Sequence, residues 1–366
     1  MKFVLIVFAL VVVSGVSFVG CSSFGTRPKE KDKSRFKESK HYNASEGMFE
    51  NRRPNLIKEM KKRTLTWSTF REFFKSGTDR VPAQRLPEIR PDMDEFLMPS
   101  AELKVIWFGH SSFLLNMDGK IVLVDPVFSG AASPISFMVK RFQRPVLELS
   151  ELPKIDYIII SHDHYDHLDM ESIKFFAGSD TQFVVPLGVG SHLRGWGVDS
   201  QKIVERDWWQ EANFDEIDFI ATPAQHFSGR NGIHENETLW ASWVLKSKNH
   251  KVYFSGDSGY DTHFKEIGDK FGPFDIAFIE SGQYNKKWEE VHLLPEQGLA
   301  AFRDLRAQKY FPVHWGMFEL STHPWYEPVE YLFEFSQNLN FDLVVPRLGQ
   351  IVSPNRVLPV DKWWRD

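Results

Sequence analysis

The stretch Tyr157 to Asp169 reads YIIISHDHYDHLD, an apolar strand pattern that runs directly into three histidines and three aspartates. Imidazoles and carboxylates crowded over so few residues repel when charged alike and desolvate one another when packed. A metal ion collecting their lone pairs removes both penalties. His162, His164, Asp166 and His167 fit the pattern HxHxDH immediately after the strand. Alternate residues of an extended turn point the same way, so His162 and His164 reach one ion while Asp166 and His167 turn toward a second. Imidazole nitrogen and carboxylate oxygen at about 2.0–2.2 Å suit zinc, and iron or manganese accept the same set.

Four ligands cannot complete two sites, so further ligands are expected downstream, each at the end of a strand. His226 follows IDFIATPAQ, Asp257 follows KVYFSG and His314 follows QKYFPV. This order resembles the metallo-β-lactamase superfamily, and the resemblance runs from about Leu103 to the C-terminus. It implies an α/β fold, a metallo-β-lactamase-like αββα sandwich of two mixed β-sheets flanked by helices, and two zinc ions per chain. It also implies that His162, His164 and His226 hold one ion, that Asp166, His167 and His314 hold the other, and that Asp257 bridges them.

The surrounding words WFGHSSFLL, VDPVFSG, SHDHYDHLD, ERDWWQE, TPAQHFSGR, FSGDSGYD, VHLLPEQGLAAF and VHWGMFEL are similar to the branch containing N-acyl-phosphatidylethanolamine-hydrolysing phospholipase D. That resemblance implies a phosphodiesterase acting on phospholipids, with Asp166 and His292 as catalytic residues and His292 beside the substrate, and Tyr165 is read either as covering the site or as packing. Two divalent ions can lower the pKa of a shared water toward neutrality, and the resulting bridging hydroxide is the expected nucleophile. His110 and Asp125 are each read either as orienting a ligand or as making a structural hydrogen bond. His41, His192, His234, His250, His263 and His323 are read as ordinary surface or core histidines. Two other readings stay open. One is a lactonase or sugar-phosphate hydrolase of the same superfamily. The other is an envelope lipoprotein that keeps a metal site without catalysis.

Bulk properties bound the partners. A chain of 366 residues, 42% hydrophobic and 25% charged, can bury a full core, and its net charge of −5 argues against a nucleic-acid partner held by counterion release. The first twenty residues, MKFVLIVFALVVVSGVSFVG, read as a secretory signal, and FVGCSS around Cys21, the sole cysteine, resembles a bacterial lipoprotein lipobox. Acyl chains on Cys21 would place the chain in the cell envelope as a lipid-anchored protein. By the same resemblance Ser22, in place of an aspartate, implies the outer membrane. Residues 21–55, polar and rich in lysine, are expected to be a disordered tether. Residues 56–100 are expected to pack as an extension on a hydrolase domain spanning residues 101–366, with Leu56, Ile57, Met60, Leu65, Trp67 and Phe70 at helical spacing. From Ala101 onward, short strands in hairpins give way to strands alternating with helices, and Asp118-Gly119 marks a hairpin turn.

Overall fold

In the computed structural model the described residues are 22–73, 79–354 and 360–365. The N-terminal part carries helix α1 (Glu30–Phe36), the hairpin β1 (Tyr42–Asn43) and β2 (Met48–Phe49), and helices α2 (Leu56–Thr64), α3 (Trp67–Phe73) and α4 (Met93–Leu97). A hairpin region follows with β3 (Lys104–Trp107), β4 (Phe113–Met117) and β5 (Lys120–Val124). Then come β6 (Tyr157–Ile159), α5 (Met170–Phe176), β7 (Gln182–Pro186), α6 (Gly190–Gly195) and β8 (Ile203–Arg206). The second half repeats this order of events. Strands β9 (Glu211–Asn213), β10 (Ile217–Thr222), β11 (Ser242–Ser247) and β12 (Lys251–Phe254) are followed by α7 (His263–Phe271), β13 (Ile276–Glu280) and α8 (Pro295–Leu305). The chain closes with β14 (Lys309–Val313), α9 (Glu327–Leu339), β15 (Asp342–Leu343) and β16 (Ile351–Val352).

Two seven-stranded sheets result, in the orders β16-β3-β4-β5-β6-β7-β8 and β15-β14-β13-β12-β11-β10-β9. Each is antiparallel where hairpins connect its strands and parallel where longer crossovers do, helical ones except for the irregular stretch between β5 and β6. The turn between β4 and β5 uses Asp118 and Gly119 at φ 52° and 86°, the left-handed pair that a two-residue hairpin turn demands.

Side-chain alternation explains the layers. Trp107, Phe113, Leu115, Val122, Val124 and Ile159 belong to one core shared with Phe254, Phe278 and Phe311 of the other sheet. Phe113 stacks on Phe278 with ring centroids 4.1 Å apart. The intervening residues Ile106, Leu114, Leu123 and Ile158 face the opposite way and form a second core with Phe96 of α4, Ile173 and Phe176 of α5 and Leu193 of α6. A strand buried on both faces reads as an unbroken apolar run, which is why YIII carries no polar alternation. The architecture is two mixed sheets face to face with helices outside, as the resemblance implied.

The segment expected to be a disordered tether is instead a packed strap. Phe36 and Phe49 are fully buried, with ring centroids 5.2 Å apart, and both join the inter-sheet core. Burial of each ring is worth roughly 1.5–3 kcal/mol. Ion pairs Arg27–Glu237, Arg35–Glu205 and Arg194–Asp32 fasten its polar face to the body. A few aromatic anchors at wide, irregular spacing suffice to hold a strap, and they leave no periodic signal in a lysine-rich segment. The expected helix between Leu56 and Phe70 is broken at Leu65, whose C-cap geometry ends α2, and Leu65 and Trp67 are exposed. The signal segment and Cys21 lie outside the described residues. Among the described residues no helix is long and apolar enough to cross a membrane.

Candidate metal centre

The C-terminal ends of strands from both sheets meet at one edge, and every expected ligand sits there. His162 to His167 follow β6, His226 follows β10, Asp257 follows β12 and His314 follows β14. A third donor group, Asp257, Glu280, His292 and His314, lies beside the two that hold the expected ligands, His162, His164, His226 and Asp257 in one and His110, Asp166, His167 and His314 in the other. Asp257 touches both. Its Oδ2 lies 3.7 Å from Nε2 of His162 and of His226, 3.2 Å from Nε2 of His167 and 3.1 Å from Nε2 of His314. The structure therefore brings together all seven residues singled out in the sequence.

The outward nitrogens are anchored, and this leaves the inward ones free to bind. Nδ1–H of His167 donates to Asp125 Oδ2 at 2.7 Å, and Asp125 is itself fixed by the amide and hydroxyl of Ser161 at 2.7 and 2.5 Å. Nδ1 of His226 bonds the carbonyl of Val291 at 3.0 Å. Nδ1 of His314 faces the carbonyl of Gly282 at 3.3 Å and Glu280 Oε2 at 3.4 Å. Such partners set both tautomer and ring orientation. The backbone of His226 is clamped by the side chain of Asn51, in the strap that the sequence reading left unstructured.

Several features fit a metal. His167 Nε2 and Asp257 Oδ1 are buried with no hydrogen-bond partner, a costly arrangement unless a ligand takes them. His162 Nε2 and His226 Nε2 each point at His164 Nδ1, at 2.9 and 3.2 Å, so lone pairs converge where a cation would sit. Burial, with the neighbouring imidazoles, keeps His162 and His226 well below the ordinary imidazole range, in their neutral, coordinating form. Burial opposes charge on His167 and His314 as well. Asp257 and Asp166 nevertheless hold both well above it, so protons balance the carboxylates when no metal does. The donor set is nitrogen and oxygen only, which suits zinc, iron or manganese.

His110 belongs beside the second group. Burial drives it to about 3, so it is neutral, and its Nε2–H donates to Asp166 Oδ2 at 2.9 Å. Its backbone carbonyl also accepts the amide of His314 at 3.0 Å, with both residues at positive φ. Tyr165 does not cover the site. Its hydroxyl donates to the carbonyl of Arg230 at 2.8 Å and its ring lies 3.9 Å from the Arg230 guanidinium. The alternation that turns His162, His164 and Asp166 inward turns Asp163 and Tyr165 to the other side. There Asp163 holds His192, Thr238 and the amide of Gly229.

A cavity of about 320 Å³ opens over the cluster. Its floor is His164, Asp166, His226, Asp257 and His314, with His292 at its side. Its wall is apolar, from Met60, Phe227, Trp288, Val291 and Leu320. Met60 comes from α2 and packs with Leu56 and Val291, so the N-terminal extension shapes the entrance. A cleft of about 390 Å³ near β15 contains none of these histidines. The sequence reading missed Glu280, which ends β13 fully buried and meets His292 Nδ1 at 2.8 Å. The signal was present, since a carboxylate ending the apolar run IAFIE follows the same rule as the ligands.

Known proteins are similar to this chain. Residues 120–315 match the family model for the β-lactamase superfamily domain. A protein of Mycobacterium tuberculosis is 43% identical over 78% of this chain and 77% of its own length. N-acyl-phosphatidylethanolamine-hydrolyzing phospholipase D 1 of Caenorhabditis elegans is 34% identical over 70% of this chain and 75% of its own. Among solved structures, Igni18, a metallo hydrolase of Ignicoccus hospitalis, superposes with a TM-score of 0.54 at 20% identity, over 68% of this chain and 97% of that one. The chain belongs to the metallo-β-lactamase superfamily of metal-dependent hydrolases.

Proposed function

We propose that this chain is a binuclear metallohydrolase, zinc-loaded, that cleaves phosphodiester bonds of phospholipids. The observation that carries the reading is the juxtaposition of two donor groups sharing Asp257 with an apolar wall directly above them. His162, His164 and His226 would hold one ion and Asp166, His167 and His314 the other, with Asp257 between. Two divalent ions so held supply an activated water at neutral pH and take up the charge that develops on phosphoryl oxygens.

The chain's own residues do the rest. Asp125, Glu280 and the carbonyls of Val291 and Gly282 keep the imidazoles aimed before substrate arrives, which spares reorganisation during the reaction. Met60, Phe227, Trp288 and Leu320 take the acyl portion and exclude water, so a headgroup phosphate is directed to the polar floor. His292 stands beside the floor with Nδ1 engaged by Glu280, which leaves Nε2 as the nitrogen available to substrate. The 34% identity to a relative named for hydrolysis of N-acyl-phosphatidylethanolamine supports this substrate class. The lipobox-like FVGCSS around Cys21 supports an acylated protein held at the envelope, in the outer membrane, where such lipids are at hand.

The test is turnover of N-acyl-phosphatidylethanolamine in mixed vesicles by the purified zinc-loaded chain, beside a panel of small lactones. Chelator-sensitive release of phosphatidic acid is the expected result. Turnover of lactones alone would move the chain to the lactonase side of the superfamily.

A further inference from the structure

We propose that the head of the strap, the loop of residues 229–235 and the end of α2 form one face that lies against the bilayer holding the acyl chains of Cys21, with Ile233 and Leu65 entering it; the inference rests on the reading of Cys21 as acylated. Ser22 is clasped to the body. Its carbonyl accepts Nε1–H of Trp196 at 2.7 Å, and the carbonyl of Ser23 accepts Nε–H and Nη2–H of Arg230 at 3.1 and 2.9 Å. The amide of Thr26 donates to His192 Nδ1 at 3.1 Å. Arg230 is buried, and its Nη1 also donates to the carbonyls of Asp163 and Leu168 at 2.5 and 2.9 Å. One guanidinium thus ties the strap to the turn that carries the metal ligands. Cys21 therefore stands one peptide unit, about 3.8 Å between α-carbons, from a residue fixed on the body. A lipid anchor so placed has no slack. Where its acyl chains enter a bilayer, the surface around Ser22 must meet the headgroups.

That surface presents apolar side chains. Residues 230–234 flank the strap, since Arg230 holds Ser23 and His234 Nε2 lies 3.1 Å from Arg27 Nη1. Between them Asn231 Oδ1 accepts the amides of Ile233 and His234 at 3.0 and 2.8 Å, a tight turn that leaves Ile233 81% exposed. The carboxylates that follow are ion-paired, Glu235 with Lys61 of α2 and Glu237 with Arg27, so they do not oppose anionic headgroups. One helical turn beyond Lys61 comes Leu65, also 81% exposed, while Met60 and Thr64 of the same helix line the cavity over the metal donors. Exposed Lys58 and Lys62 outnumber Glu59 on α2, which leaves positive charge for the bilayer surface. Anchor, loop tip and cavity mouth follow one another along a connected surface, and the anchored chain presents its cavity to the lipid around it.

The test uses the full chain with acylated Cys21, reconstituted into vesicles of phosphatidylethanolamine and phosphatidylglycerol. Acylation consumes the sole thiol of the chain, so Ile233→Cys, Leu65→Cys and Leu339→Cys each carry one reactive thiol for a nitrobenzoxadiazole maleimide. Leu339 is the reference, because it ends α9 beside the edge strand β15. The strap docks instead on α6 beside β8, which runs next to β9, the opposite edge of the sheet containing β15. All three side chains are exposed, so a cysteine there leaves both cores intact. Probes at 233 and 65 are expected to shift to the blue on reconstitution and to be quenched about threefold or more by nitroxide lipids labelled about 5–10 Å below the headgroups, with the probe at 339 unchanged.

A probe at 233 or at 65 that stays in water, or one at 339 quenched equally, would overturn the face while the anchor stands. The mass of the N-terminal peptide reads the anchor separately. An unmodified Cys21 removes the acylation reading, and the face falls with it. Insertion of both probes in a protein inactive on vesicle lipid would leave the face established and count against the phospholipid-cleaving reading instead.

Discussion

Replacing Asp125 by Asn should weaken one metal site and spare the other. The Asp125 carboxylate accepts three hydrogens, from Nδ1 of His167 at 2.7 Å, from the amide of Ser161 at 2.7 Å and from the hydroxyl of Ser161 at 2.5 Å. An amide cannot serve all three. With its oxygen toward Ser161 N–H, its NH2 faces His167 and places the imidazole hydrogen on Nε2, the nitrogen that should bind metal. With its oxygen toward His167, two N–H groups meet at Ser161 and one buried donor is left unpaired, at about 1–3 kcal/mol. Either way the group of Asp166, His167 and His314 loses about 10–100-fold in affinity, about 1.4–2.7 kcal/mol. His162, His164 and His226 do not touch Asp125, although Ser161 Oγ lies 3.0 Å from His162 Nδ1, so a smaller effect is expected there. Stepwise competition of a colorimetric chelator against zinc-loaded D125N measures both steps. Two unchanged steps, or two steps weakened alike, would refute the reasoning.

Other perturbations probe separate links. Phe49→Ala removes a fully buried ring of the strap and should cost about 3–5 kcal/mol, seen as a lower denaturation midpoint; an unchanged midpoint would return this segment to the status of a tether. His167 and His314 are held well above the ordinary imidazole range in the metal-free site, so each must lose a proton to coordinate, and metal affinity should rise with pH. Calorimetry of zinc binding in two buffers of different ionisation enthalpy should then show proton release, and none at neutral pH would contradict protonation of these two imidazoles by Asp166 and Asp257. Met60→Glu places a carboxylate on the apolar wall. It should raise KM for vesicle lipid at least tenfold and leave bis(p-nitrophenyl) phosphate hydrolysis within about twofold; equal losses on both substrates would argue against the wall as an acyl contact.

The ligands were legible because the chemistry forces a recognisable form: polar donors where apolar strands end. Strands β3 to β7 and β10 to β14 were legible for the same reason, since a doubly covered sheet needs unbroken apolar runs. Strands β8 and β9 were not, because IVER is only half-buried and EAN exposes two of its three residues. The strap was illegible because Phe36 and Phe49 act as isolated plugs whose partners are far along the chain. The choice between covering and packing for Tyr165 was not legible for a local reason, since its neighbours on both sides face the cluster and only the alternation within the turn separates them. Glu280 satisfied the rule that found Asp257, but a carboxylate on its own does not say whether it meets a metal or the imidazoles around one.

The most direct test of a binuclear centre is metal stoichiometry in the full chain and in Asp257→Ala, by elemental analysis after zinc loading and exhaustive dialysis. Asp257 Oδ2 lies within 3.7 Å of imidazoles from both donor groups. About two zinc ions per wild-type chain are therefore expected, with both sites weakened together and turnover lost in the variant. Two ions retained by the variant with activity intact, or a wild-type chain that binds none, would contradict the binuclear centre on which the functional reading stands.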